Sequence, residues 1–167
     1  SKIFSNAGAF TSTSYSTLIA NAYNNGARIS SNSWGLTGTG ANQYTTDSRT
    51  YDILTRDAVS GTAGNQEMLI VFAAGNSGSG ANTVSAPGTG KNVLTVGASE
   101  NFRQTGTDGC GIGNTGADNA KDVISFSGRG PTSDGRKKPD LMAPATHVQS
   151  DASRSVNYDG SGVCKQF

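Results

Sequence analysis

The stretch "VFAAGNSGSG", residues 71–80, decides how the rest of the chain reads. An apolar run that begins at Met68 stops on Gly75-Asn76-Ser77-Gly78. Glycine at the end of a buried strand removes the side chain that would block close approach to the backbone, so the stretch has the form of a site. The same residue types are also the commonest turn formers, and an ordinary turn is the plain alternative. The flanking sequence has to separate the two.

The run 68–74 is apolar throughout, as expected of a strand in a parallel sheet covered on both faces. Upstream, Leu18, Ile19, Ala22 and Tyr23 recur at helical spacing over 14–25, and Asn25-Gly26 is a helix stop. A short strand over 27–33 follows, and Trp34-Gly35 opens a Gly/Thr-rich loop. The spacing predicts a second helix over 46–60, with Asp47 near its start, Tyr51, Leu54, Ala58 and Val59 on one face, and Gly61 after it. Downstream, 92–98 reads as a strand, and the rest as loops and short strands at 122–126 (DVISF) and 140–149 (DLMAPATHVQ). This alternation predicts an α/β fold: a parallel sheet with flanking helices, right-handed crossovers and a loop-rich C-terminal part. Ligands of such sheets sit at the carboxyl ends of the strands. Ser33-Trp34-Gly35 and Ala74-Gly75-Asn76 both fall on that rim.

A length of 167 residues suits a single domain over 1–167. Glycine supplies 23 positions and charged residues only 15%, a composition that suits a loop-rich exported protein and an extracellular location. The net charge of +1, with basic residues scattered apart from Arg136-Lys137-Lys138, provides no field for nucleic acid or an anionic membrane, so neither is an expected partner. No stretch approaches the roughly 20 apolar residues of a membrane span. "SKIFSNAGAF" at the start has neither the apolar core nor the length of a signal peptide, so any export signal is expected outside the chain. Cys110 and Cys164 lack metal or redox spacing, and one histidine is too few to complete a metal-thiolate site; in an exported protein they are expected to form one disulfide.

Four stretches, "ARISSNSWG", "VFAAGNSG", "SAPGTGKNVLTVGASEN" and "FSGRGPTSDGRKKPDLMAPATHVQS", stand in the order and approximate spacing of the subtilisin-like serine proteases. The chain resembles the alkaline, oxidatively stable subtilases of bacilli and their relatives, from about Leu18 to Ser150. By that resemblance Asn76 corresponds to the oxyanion-hole asparagine, and Ser33, Trp34 and Gly35 to the segment that pairs with substrate as an added strand. Ala73, Ala74 and Gly75 correspond to one wall of the primary specificity pocket, with Ser77 near its base and Ser85 opposite. A small, uncharged floor implies tolerance of large apolar or neutral residues before the scissile bond. No cofactor is required for this chemistry. A structural calcium ion is implied at Asp140, with the carbonyls of Gly88, Gly90 and Val93; a solvated or salt-bridged carboxylate is the alternative.

The family's catalytic Asp, His and Ser contexts (Asp-Ser/Thr-Gly, His-Gly-Thr-His, Gly-Thr-Ser-Met-Ala) are absent from these 167 residues. The one histidine, His147, sits in "PATHVQS" and reads as a surface or strand residue. A serine without a base stays protonated and weak. The chain is therefore expected to be an internal fragment of a peptidase domain, cut between the His and the Ser and inactive alone, with a peptide or protein substrate in the full-length protein. An apolar sheet face and a strand edge left uncovered would promote self-association. Ala145 stands where the family usually has Gly, Gly128 where it has Ser, and the loop 106–122 is longer and richer in glycine than is usual.

Two rivals stand beside this reading. "GIGNTG", residues 111–116, satisfies the dinucleotide-binding pattern, but "RQTGTDGC" before it and "DVISF" after it are not the strand and helix that pattern needs. A non-catalytic subtilase-fold module that binds peptides or a protein partner is the stronger rival.

Overall fold

The computed structural model of the protein describes residues 14–103 and 115–148. Within them the order is α1 (Tyr15–Asn24), β1 (Ile29–Asn32), α2 (Thr46–Arg56), β2 (Leu69–Ala73), β3 (Leu94–Ser99) and β4 (Leu141–Pro144). The strands form one parallel sheet in the order β1-β2-β3-β4. This is the α/β architecture that the alternating pattern predicts.

Local chemistry sets the helix limits. The Ser14 hydroxyl accepts from the Thr17 amide at 3.2 Å, and α1 ends where Gly26, at φ +91°, lets the Ala27 amide return to the Ala22 carbonyl at 3.0 Å. Thr45 and Ser48 cap α2 reciprocally, with Asp47 in its first turn and Arg56 in its last. The helix stops at Arg56 and does not reach Ser60. Asp57 is extended, its carboxylate accepts from the Val59 amide at 3.2 Å, and the Ala58 amide leaves for the Gln66 carbonyl at 2.9 Å. Apolar Ala58 and Val59 mislead the pattern because they still pack on the core without helical backbone.

The expected strand 122–126 is also corrected. Val123 makes a single antiparallel bridge to Ser99, and no strand forms there. β4 is shorter than expected, and His147 lies beyond it at φ +50°, a left-handed conformation that would break a ladder.

Strand alternation gives the sheet two unlike faces. Ile70 and Phe72 of β2 are fully buried against Ile19 of α1 and Tyr51 and Leu54 of α2. On the opposite face, paired Ile29 and Leu69 are 64% and 43% exposed, and Leu141, in register with Val96, is 43% exposed. No helix among the described residues is long and apolar enough to cross a membrane.

Candidate functional site

β1 and β2 run parallel with Asn32 opposite Phe72, so the segments that follow them, Ser33-Trp34-Gly35 and Ala74-Gly75-Asn76, leave the same rim side by side. A third segment closes against both. The Ser85 amide donates to the Ala74 carbonyl at 2.9 Å, and the Leu36 amide to the Ala86 carbonyl at 2.8 Å. Buried Ser85 is thereby wedged between the two strand ends. A Cβ on Gly75 would collide with the Ser85 hydroxyl, and one on Gly35 would lie 3.0 Å from the Ser85 Cβ. Gly75 also sits at φ +94°, so both its space and its backbone demand glycine.

Along this rim Ala74 is buried, Ala73 and Gly75 are half-buried, and Ser33, Gly35, Asn76 and Ser77 are exposed. The Asn76 amide therefore stands on the rim in reach of solvent. Behind it the turn is fixed: the Thr83 hydroxyl donates to the Gly78 and Gly80 carbonyls at 3.0 Å, and the Gly78 amide donates to the Phe126 carbonyl at 3.0 Å. Gly128 packs so closely on the Ala74 carbonyl that no side chain fits, which is the physical reason for glycine there. Trp34 anchors its own segment from below, stacked on Tyr15 at 5.5 Å and edge-on to Phe72 at 5.4 Å.

The sequence reading missed what holds the third segment. Asp52, on α2 and buried, accepts from the Tyr44 hydroxyl at 2.9 Å, the Lys91 amide at 2.9 Å and the Asn92 amide at 2.6 Å. Ser48 of the same helix bonds the Thr89 hydroxyl at 2.8 Å, which donates on to the Gln43 carbonyl at 2.8 Å. The loop carrying Ser85 is thus fastened to the polar side of α2. The available signal was Ser48 and Asp52, four residues apart on one side of the helix and bordering its apolar face at Tyr51. The Tyr44 phenol is held above its ordinary value, first by burial and then by its hydrogen bond to Asp52.

The residues expected around a cation are brought together through Thr95. Its amide donates to Asp140 Oδ2 at 2.7 Å and its hydroxyl to the Gly88 carbonyl at 2.5 Å. The Lys138 ammonium donates to the Val93 carbonyl at 2.8 Å and to Asp140 Oδ2 at 2.6 Å. The Gly90 carbonyl accepts from an Arg136 guanidinium nitrogen at 3.5 Å. Cys110, Cys164 and residues 111–114 of "GIGNTG" lie outside the described residues; Thr115 and Gly116 form a turn with no helix opening on them.

The family model described as the subtilase family, peptidase S8, matches residues 1–166. The chain belongs to the subtilase family. Over 83 residues, half of its length, this subtilase chain is 37% identical to the serine protease AprX of Bacillus subtilis (strain 168). Over 39 residues, 23% of its length, it is 46% identical to the serine protease/ABC transporter B family protein tagD of Dictyostelium discoideum. Among solved structures, Sphericase shares its fold with a TM-score of 0.53 over 86% of the chain at 24% identity. The subtilase chain spans 16% of AprX, 2% of tagD and 41% of Sphericase.

Proposed function

We propose that this chain is the substrate-strand and oxyanion portion of a secreted subtilisin-like serine endopeptidase, and that it does not cleave peptides without the catalytic Asp, His and Ser contexts that its sequence lacks. The observation that carries the reading is the convergence of Gly35, Gly75 and Ser85 on one rim with an exposed Asn76 beside them.

In the mechanism, an extended substrate pairs its backbone with Ser33, Trp34 and Gly35 as an added strand. The side chain before the scissile bond packs along the Ala73-Ala74-Gly75 segment, with Ser77 near the base, and Ser85, already in contact with Gly75, closes the inner end of that wall. These walls carry no charge, so large apolar or neutral residues fit. The Asn76 amide donates to the carbonyl oxygen as it becomes an oxyanion, an interaction stronger in the transition state than in the substrate and therefore catalytic. Gly75 and the Thr83-braced turn hold that donor in place before reaction, which avoids reorganisation cost.

Hydrolysis of a chromogenic peptide by the full-length protein, beside this 167-residue chain and a full-length Asn76→Ala variant, tests the reading. The full-length protein is expected to be active and this chain inert. The variant is expected to lose about 10²- to 10³-fold in kcat, a magnitude established on a subtilisin, itself a member of this family. The absence of the triad contexts also favours a second reading, a non-catalytic module that binds extended peptides on the same rim. An inert full-length protein that still binds peptide would select it.

A further inference from the structure

Lys138 places an ammonium in the interior: its side chain is 4% exposed. An isolated buried ammonium costs several kcal/mol in lost hydration, so its partners define what the place is built to hold. They are the Val93 carbonyl at 2.8 Å and Asp140 Oδ2 at 2.6 Å. That carboxylate is itself oriented by the Thr95 amide at 2.7 Å, and the Thr95 hydroxyl turns to the Gly88 carbonyl at 2.5 Å. A carboxylate with peptide carbonyls nearby is also the donor set of hard cations such as calcium or sodium.

We propose that Lys138 is the resident cation of this cradle, tethered to the chain, so that the wild-type protein admits no metal ion at Asp140. The ammonium uses the oxygens that a metal would need, and a second positive charge among them is repelled. Its place joins β3 to β4 through Thr95, whose carbonyl also accepts from the Asp140 amide at 2.8 Å. The tethered charge therefore holds the junction without dependence on ion concentration. Truncating Lys138 leaves a carboxylate and a buried carbonyl without their cation, which makes the cradle a site for a small free one. The inference stands apart from the peptidase reading, because it concerns stability and ion binding and not turnover.

Melting of the wild type and of Lys138→Ala in sodium, potassium or calcium chloride, against tetramethylammonium chloride at equal ionic strength, tests it. The wild type is expected to melt at the same temperature in all four. Lys138→Ala is expected to melt about 5–10 °C lower in tetramethylammonium and to recover part of that loss in a small cation. Adding Asp140→Asn should abolish the recovery. A variant destabilised with no cation-specific recovery overturns the latent site. Equilibrium dialysis of the wild type with radioactive calcium keeps the test decisive if Lys138→Ala does not fold. No binding that depends on Asp140 is the expected result; calcium bound by the wild type and lost in Asp140→Asn overturns the proposal.

Discussion

The two faces of the sheet are built from the same strands and treat their side chains oppositely. Ile70 and Phe72, fully buried, sit under both helices, while Leu69, at the start of β2 and away from the rim, is 43% exposed and its neighbour Ile29 is 64% exposed. Parallel sheets are normally covered on both faces. The covered face therefore supplies the described core, and the open face is where apolar area remains to be buried by something else. Strand composition alone, apolar on both sides from Met68 to Ala74, does not distinguish the two.

Mutations separate them. Phe72→Ala should cost about 3–5 kcal/mol, because it removes an aromatic ring from the centre of the packed cluster, whereas Leu69→Ala should cost well under half of that. Urea unfolding of both variants measures the difference, and equal losses would break the comparison. The polar fastening of α2 to the Ser85 loop should come next: Asp52→Ala leaves the Lys91 and Asn92 amides without their acceptor, at about 1–3 kcal/mol. An unchanged midpoint in the same assay would mean that packing alone holds the loop.

The open face should drive self-association. Sedimentation at rising concentration is expected to show oligomers of the wild type, weakened at least about tenfold by Leu69→Asp or Leu141→Asp, each on that face. A monodisperse monomer at all concentrations would show that the open face needs no partner.

Titration distinguishes core from surface with smaller effects. The Tyr51 phenol is held far above its ordinary value of 10.0, first by burial and then by Tyr15 and Asp47. Its contribution is complete below about pH 10 and is lost as pH rises through the folded value, because only the unfolded state ionises readily. Absorbance titration should find one tyrosine that ionises only as the protein unfolds. The least effect belongs to exposed Asp134, lowered from 3.8 to about 2 by Arg136 and then Thr132. Its small contribution is present above about pH 4 and fades as pH falls toward 2, so Asp134→Asn should flatten the acid limb slightly and nothing more.

Much of the candidate site was legible because its shape comes from backbone at the strand ends. Gly35, Gly75 and Asn76 mark strand ends, and strand ends show in the amino-acid order as an apolar run meeting turn formers. Asp52 and Lys138 were not legible as partners. Asp52 is 39 and 40 residues from the amides it binds, and Lys138 is 45 from the Val93 carbonyl. Lys138 in "GRKKPDL" looks like any solvated basic residue, and its burial depends on where β3 lies.

By itself the order of residues determined the alternation of helices and strands, the parallel sheet, the subtilase membership and the rim on which Asn76 stands. Hydrophobic period, caps and glycine stops act within a few residues, so they are written locally. Tertiary structure alone decided that α2 ends at Arg56, that Val123 makes a bridge and not a strand, that one sheet face is open, and that an ammonium sits beside Asp140. Each of those outcomes depends on which distant groups meet after the chain has closed, and a buried charge or carbonyl takes whatever partner that closure brings within hydrogen-bond reach.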